Sequence, residues 1–294
     1  MMAITASMVK ELRERTGAGM MECKKALVES DGNMDDAVEL LRKSGQAKAD
    51  KKSGRVAADG CIVVATDGGR AAMLEVNSET DFVAKDDNFI AFADAVAAAA
   101  LEGGITDAGA ISTATLADGR TVEAARTELV TKVGENISVR RVAQIEGGDQ
   151  LASYTHGARI GAVVALEGGD AELARDVAMH VAATNPLCID ESGVAPDILE
   201  RERRIFEQQA AESGKPADII EKMVNGRVAK YLKEITLLGQ PFVKDTEITV
   251  GKLLDKAGAR VTRFVRFEVG EGIEKKQENF AEEVMKQIKD SASA

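Results

Sequence analysis

The strongest constraint on this chain is that it contains a pattern twice. The stretch "CIVVAT-DGG-RAAMLEVN" (61–77) sets two β-prone runs around a Gly-rich turn, the signature of a β-hairpin. The stretch "THGARIGAVVALEGG" (155–169) echoes it. Each hairpin is followed by an apolar helical run, carried by Phe89, Phe92, Ala93 and Val96 in the first copy and by "AELARDVAMHVAAT" (171–184) in the second. Each copy closes in the same way. A helical run opening Thr-Val (Thr121-Val122; Thr249-Val250) leads into a strand, "ISVRRVAQIEGG" (137–148) or "RVTRFVRFEVGEG" (260–272). A degenerate two-copy repeat of this kind predicts two related α+β subdomains.

The second copy is interrupted. Between about Cys188 and Gln240 the pattern turns purely helical, with Pro196 opening one helix and "SGKP" (213–216) turning the chain into another. Apolar residues Ile219, Ile220, Met223, Val224, Val228, Tyr231, Leu232 and Ile235 recur at helical spacing. A two-helix insertion has little core of its own, so the stripe is expected to face another surface, such as a second copy of itself.

Three short helices are expected before the repeat. Thr5 caps the first, whose apolar face carries Met8, Val9 and Leu12. The second puts Met20, Cys23, Ala26 and Leu27 on one face, and Asn33 caps the third. The basic run 42–55, bounded by Gly45 and Gly54, reads as a linker. At the other end, "NFAEEVMKQI" (279–288) aligns Phe280, Val284 and Ile288 as a last helix. The expected division is 1–55, a three-helix domain and linker; 56–150, the first core subdomain; 151–187 with 240–272, the second; 188–239, the insertion; and 273–294, a C-terminal module. The fold class is α+β with antiparallel β-hairpins.

Composition narrows the function. The 294 residues carry a net charge of −11, which discourages non-specific binding to nucleic acid or anionic membranes. No apolar run approaches the roughly 20 residues that span a bilayer, and the N-terminus has no secretory h-region. Cys23, Cys61 and Cys188 are odd in number and widely spaced, which reads as reduced thiols of a soluble cytoplasmic protein. No P-loop, nucleophile elbow, HExxH or Cys/His metal spacing occurs. "VGEGIEKK" has two glycines at GxG spacing without the third. Of the two histidines, His180 sits in the apolar pattern "VAMHVA" as a packing residue, and His156, at a strand start or loop, is the better contact candidate. Glu79 and Asp81 have no nucleophile or orienting base beside them. An enzyme is disfavoured and no cofactor is expected.

Four longer segments add to this reading. "ITASMVKELRERTGAGMMECKKAL" (4–27), "LEVNSETDFVAKDDNF" (74–89), "SYTHGARIGAVV" (153–164) and "VRFEVGEGIEKK" (265–276) closely resemble bacterial elongation factor Ts, in order along essentially the whole chain. The resemblance implies a guanine-nucleotide exchange factor for elongation factor Tu. It also implies a ubiquitin-associated-like N-terminal domain and dimerisation through the inserted helices. In that family the TDFV segment lies against the partner's nucleotide-binding domain, its Phe wedges between partner helices, and Mg²⁺ is dislodged. Those roles fall here on Thr80, Asp81, Phe82 and Val83. The N-terminal domain touches the same partner domain, which implies contacts from Arg13, Met21 and Lys24. The "HGARIG" loop implies His156, and "TKVGEN" (131–136) implies Val133, where the family often has Ile.

The residues alone leave two roles open for Phe82. It either projects as a wedge from the first turn of the helix that begins after the strand, capped by Ser78 or Thr80, or staples that helix against Phe89. Two other functions compete with exchange. One is a nucleic-acid-binding translation protein using the basic 42–55 run, which lacks aromatic interleaving. The other is a helical adaptor for ubiquitin-like partners built on 1–45, which leaves the duplicated core unexplained.

Overall fold

The computed structural model describes residues 4–274; the helix expected at 279–288 lies outside the described residues. Three helices open the chain: α1 (Ala6–Thr16), α2 (Met20–Glu29) and α3 (Met34–Lys52). The Thr5 hydroxyl accepts from the Met8 amide at 3.3 Å, and Asn33 accepts from the amides of Asp35 and Asp36, so both expected caps form. Val9, Leu12, Cys23, Ala26, Leu27 and Ala37 make the small core. Met20 is not part of it; at 60% exposure it lies outside the face it was expected to share.

The linker reading of 42–55 is corrected. α3 continues through the basic run to Lys52, because the charges occupy its solvent face while Gly45 and Ala49, one turn apart, are buried. Lys51 and Lys52 also favour the helix C-terminus, where the backbone dipole is negative. The buried face docks on the core: the Thr127 hydroxyl donates to Gln46 Oε1 at 3.3 Å. A Cβ on Gly45 would stand 3.1 Å from Thr131 Oγ1.

The first copy runs β1 (Asp59–Thr66), β2 (Arg70–Ser78), α4 (Asp87–Gly103), the short α5 (Ala108–Ile111), α6 (Val122–Val133) and β3 (Ser138–Glu146). The second runs β4 (Gln150–His156), β5 (Ile160–Glu167) and α7 (Ala171–Thr184). Then come the inserted α8 (Pro196–Ala211) and α9 (Ala217–Ile235), followed by β6 (Pro241–Phe242), β7 (Asp245–Thr249), α10 (Val250–Lys256) and β8 (Arg260–Glu268). The second hairpin begins at Gln150, earlier than its sequence echo, so 155–169 holds its turn and second strand.

Both large sheets are antiparallel, ordered β1-β2-β3 and β4-β5-β8. They share even an irregularity. The register shifts between Glu75 and Val76, leaving Arg140 unpaired, and between Ala165 and Leu166, leaving Thr262 unpaired. In each copy this bulge falls at the third residue of the closing strand.

Alternation along the strands builds four layers. Ala72, Leu74 and Val76 turn to α4, where Phe89, Phe92 and Val96 meet them. Ala162, Val164 and Leu166 turn to α7. The intervening positions, Ile62, Met73, Ile145, Val163 and Ala165 among them, pack sheet against sheet. Gly161 permits the close approach, since a Cβ there would fall 2.5 Å from Ile62 Cγ2. The Ile62 amide donates to the Ala158 carbonyl at 2.7 Å and seals the edge.

The inserted helices bury more of their own stripe than expected. Val224, Val228 and Leu232 are buried against α8 with Ala210, and the Phe206 and Tyr231 rings stand 6.3 Å apart. Ile205 and Ile219 remain exposed.

Candidate functional site

The loop after β2 carries the most exposed large apolar side chain among the described residues, Phe82, at 81% exposure. Phe89 is fully buried in the core under α4. Phe82 therefore does not staple the helix. Nor does Ser78 or Thr80 cap α4: Asp86 does, accepting from the amides of Asn88 and Phe89. Phe82 precedes a single 3₁₀ turn, Val83–Lys85, and the Thr80 hydroxyl accepts from the Val83 amide at 3.4 Å.

The loop is held by residues that come from far along the chain. Glu135 accepts from the Thr80 amide at 3.0 Å and from its hydroxyl at 2.7 Å. In return Glu79 accepts from the Asn136 amide at 2.6 Å and from Arg55 at 3.4 Å. Asn136 donates through Nδ2 to the carbonyls of Ser53 and Arg55. Lys132 donates to Asn88 at 2.6 Å, tying the end of α6 to the start of α4. The sheet register explains the meeting: Asn77 pairs with Ser138, so the end of β2 emerges beside the start of β3.

Asp81 points outward and pairs with Lys85 at 2.7 Å. That hydrogen bond, with the charges of Lys85 and Arg159, holds its carboxyl below the usual range. Arg159 pairs with Asp59 at 3.2 Å, and Asp59 faces Ser78 across the sheet, so the turn after His156 lies beside the strand end from which the loop leaves. His156 is exposed at the end of β4, with its Nδ1 3.4 Å from the Tyr154 hydroxyl. Val133 is half-buried, and its side chain packs on the core cluster under α4. On the helical domain Arg13 and Lys24 are exposed, and Met21 is 74% exposed. The elements thus bring Thr80, Asp81, Phe82 and Val83 together in one loop, while Arg13 stands on α1 and Met21 and Lys24 on α2.

Sequence reasoning missed Glu135, Asn136 and Arg55 as anchors. It also missed Glu75, which is fully buried yet charged. Arg140 and Arg141 donate to it, as do Asn77 and the Gly270 amide. Burial pushes its carboxyl up, and these donors outweigh it and leave the group below its ordinary range. His180 is the expected packing residue: its Nδ1 accepts from the Val243 amide at 3.1 Å and its Nε2 lies 3.0 Å from Gln240 Oε1. Among the described residues no group of three or more His, Cys, Asp or Glu is placed to hold a metal, and no helix is long and apolar enough to cross a membrane.

Comparison with known proteins decides the family. Residues 79–271 match the family model described as Elongation factor TS. Elongation factor Ts of Thioalkalivibrio sulfidiphilus is 64% identical over 98% of this chain and 99% of its own length. The proteins of that name from Methylococcus capsulatus and Halorhodospira halophila are 59% and 56% identical, each covering 99% of this chain and 100% of the relative.

This chain belongs to the elongation factor Ts family. Membership makes it a translation elongation factor. The segment matched to the elongation factor Ts model opens at Glu79, the first anchored residue of the Phe82 loop, and closes at Glu271, which accepts from Arg141. Helices α1 to α3 lie outside that segment but inside the alignments with the full-length elongation factor Ts proteins.

Proposed function

We propose that this chain is a guanine-nucleotide exchange factor that binds elongation factor Tu and promotes GDP release by lodging Thr80, Asp81, Phe82 and Val83 beside the partner's nucleotide and Mg²⁺ site. The observation that carries the reading is a Phe, 81% exposed, at the tip of a loop braced by two carboxylates. Burying such a side chain is worth about 1.5–3 kcal/mol, enough to drive a local rearrangement in a partner. Exchange then follows from linkage. If the complex weakens nucleotide binding by some factor, nucleotide weakens the complex by the same factor. No bond-making residue in this chain is required, so the activity is that of a binding factor, with no cofactor, acting in the cytoplasm. Its charge of −11 fits a protein partner better than nucleic acid or an anionic membrane.

Arg13, Met21 and Lys24 form a second contact in this reading, and His156 a third beside the loop. Val133 contributes mainly by supporting the loop from beneath, since its side chain packs on the core. Self-association through 188–239 belongs to the same proposal, with Ile205 and Ile219 as its exposed apolar groups. Replacing that segment with a short linker should lower the sedimenting mass; an unchanged mass would remove self-association from the reading.

The deciding experiment is Phe82→Ala with fluorescent GDP preloaded on elongation factor Tu. Release should slow at least about tenfold, which corresponds to roughly 1.4 kcal/mol. The variant's own melting temperature should stay unchanged, because truncating an exposed ring leaves no cavity. Normal exchange by Phe82→Ala would refute the wedge.

A further inference from the structure

Two distant parts of the chain meet at the C-terminal end of α6. Along its length this helix carries the helical domain: α3 lays Gly45 against Thr131, and Gln46 accepts from the Thr127 hydroxyl. Gly134, left-handed at φ 83°, ends the helix. The next two residues are both spent on holding other segments. Glu135 accepts from the amide and hydroxyl of Thr80. Asn136 reaches two segments at once. Its backbone amide donates to Glu79 Oε1 at 2.6 Å, and its Nδ2 donates to the carbonyls of Ser53 at 3.4 Å and Arg55 at 2.9 Å.

Those segments differ in kind. Ser53 is the C-cap of α3, which ends the helical domain, whereas Glu79 opens the Phe82 loop. A helix end leaves carbonyls without intrahelical donors, and Asn136 supplies hydrogens at this one. Both of its side-chain partners only accept, so the amide is oriented with its nitrogen toward α3. At 5% exposure Asn136 is shielded from water that could replace those bonds. The pair of Arg55 with Glu79 runs parallel to this link, but it is long at 3.4 Å and its guanidinium is half-exposed, so it is the weaker tie.

We propose that Asn136 is a positioning residue that couples the seating of the helical domain to the ordering of the Phe82 loop. With α3 on α6, the carbonyls of Ser53 and Arg55 hold the Asn136 side chain, and the backbone amide of the same residue holds Glu79. With α3 lifted, the side chain loses its acceptors and Glu79 loses a fixed donor. The coupling is internal to the chain. Its use rests on the exchange reading, in which Arg13, Met21 and Lys24 touch the same partner as Phe82. Holding both surfaces in one arrangement before binding leaves less ordering for the complex to supply.

The test is amide hydrogen exchange, read by NMR on the full chain, with Gly45→Leu as a perturbation placed on α3 rather than at the loop. A Cβ at Gly45 stands 3.1 Å from Thr131 Oγ1, so a leucine there pushes α3 from α6. Gly45→Leu alone should lower protection of the Thr80 amide at least about threefold and shift the Asn136 side-chain NH₂ resonances. Asn136→Ala should lower Thr80 protection by a similar factor, and adding Gly45→Leu to it should change Thr80 no further, because the link is already cut. The amide of Met73, inside the sheet, should keep its protection throughout. A loop indifferent to Gly45→Leu would overturn the proposal. So would additive losses in the double variant, which would mean that the signal travels through α6 without Asn136. If Asn136→Ala does not fold, the joint response of Thr80 and the Asn136 side chain to Gly45→Leu decides. On elongation factor Tu loaded with fluorescent GDP, Asn136→Ala should raise the half-saturating concentration about fivefold with the saturating release rate unchanged; an unchanged half-saturation point would remove the positioning role. The amide readout needs no partner, so failure of the coupling and failure of the exchange reading are told apart.

Discussion

Replacing Thr80 with Val tests whether the brace around Phe82 matters. Valine keeps the shape of threonine and keeps the backbone amide that donates to Glu135 Oε2 at 3.0 Å. It loses the hydroxyl that donates to Glu135 Oε1 at 2.7 Å and accepts weakly from Val83 at 3.4 Å. A hydrogen bond to a charged group is worth about 1.5–3 kcal/mol. Thr80 and Glu135 are both half-buried, so water competes and about 1–1.4 kcal/mol is the appropriate figure here. If the anchored loop is the binding-competent form, that loss reduces its population. Apparent affinity for elongation factor Tu should fall about five- to tenfold, since 1.4 kcal/mol is a factor of ten. The release rate at saturation should hold, because the bound complex has already selected the ordered loop. Stopped-flow release of fluorescent GDP, measured over a range of factor concentrations, separates the two quantities. A lower saturating rate with an unchanged half-saturation point would refute the reasoning and put Thr80 among the groups that act on the nucleotide site. No change in either would mean that Glu135 does not organise the loop.

Two further outcomes concern the core. Glu75→Ala leaves Arg140 and Arg141 without their buried carboxylate, and breaking a buried pair from one side costs about 3–5 kcal/mol; a urea midpoint within error of the parent would show that the cluster is not structural. Burial keeps the pKa of His180 below its ordinary value, and the Val243 amide already donates to Nδ1, so the folded state resists protonation while the unfolded state accepts a proton near pH 6.5. Its contribution to stability is therefore full above about pH 6.5 and declines as the pH falls below that, and His180→Gln should flatten the loss of urea resistance between about pH 7 and 5; parallel curves for parent and variant would exclude His180 as a source of acid sensitivity.

The repeat was legible because its signals are local. Glycine turns, two-residue alternation and Thr-capped helices are written in adjacent residues, and the observed sheets follow them. The length of α3 was hidden because Lys43, Lys48, Lys51 and Lys52 obscure a buried stripe of only Gly45 and Ala49, whose small side chains carry almost no hydropathy signal. Phe82 stood out in sequence, but its exposure did not, since a staple and a wedge have the same spacing. Glu135 was invisible for a different reason. It lies 55 residues from Thr80, and only the pairing of β2 with β3 brings the two together.

The shared bulge allows the two copies to be aligned residue by residue, and the alignment meets Glu75 with a contrast. The sixth residue of β2 is Glu75, and the sixth of β5 is Ala165; both lie in the layer between the sheets, and each pairs across its sheet with an arginine, Arg141 or Arg263. The arginine is present in both halves and the carboxylate in one. Two carboxylates in that buried layer would repel and would lack enough donors, whereas none would leave the Gly270 amide and Arg140 Nη1 without their acceptor. The halves are thus complementary rather than interchangeable. A chain assembled from two first halves would bury one acid too many, and a chain of two second halves would lack the carboxylate that accepts from the Gly270 amide.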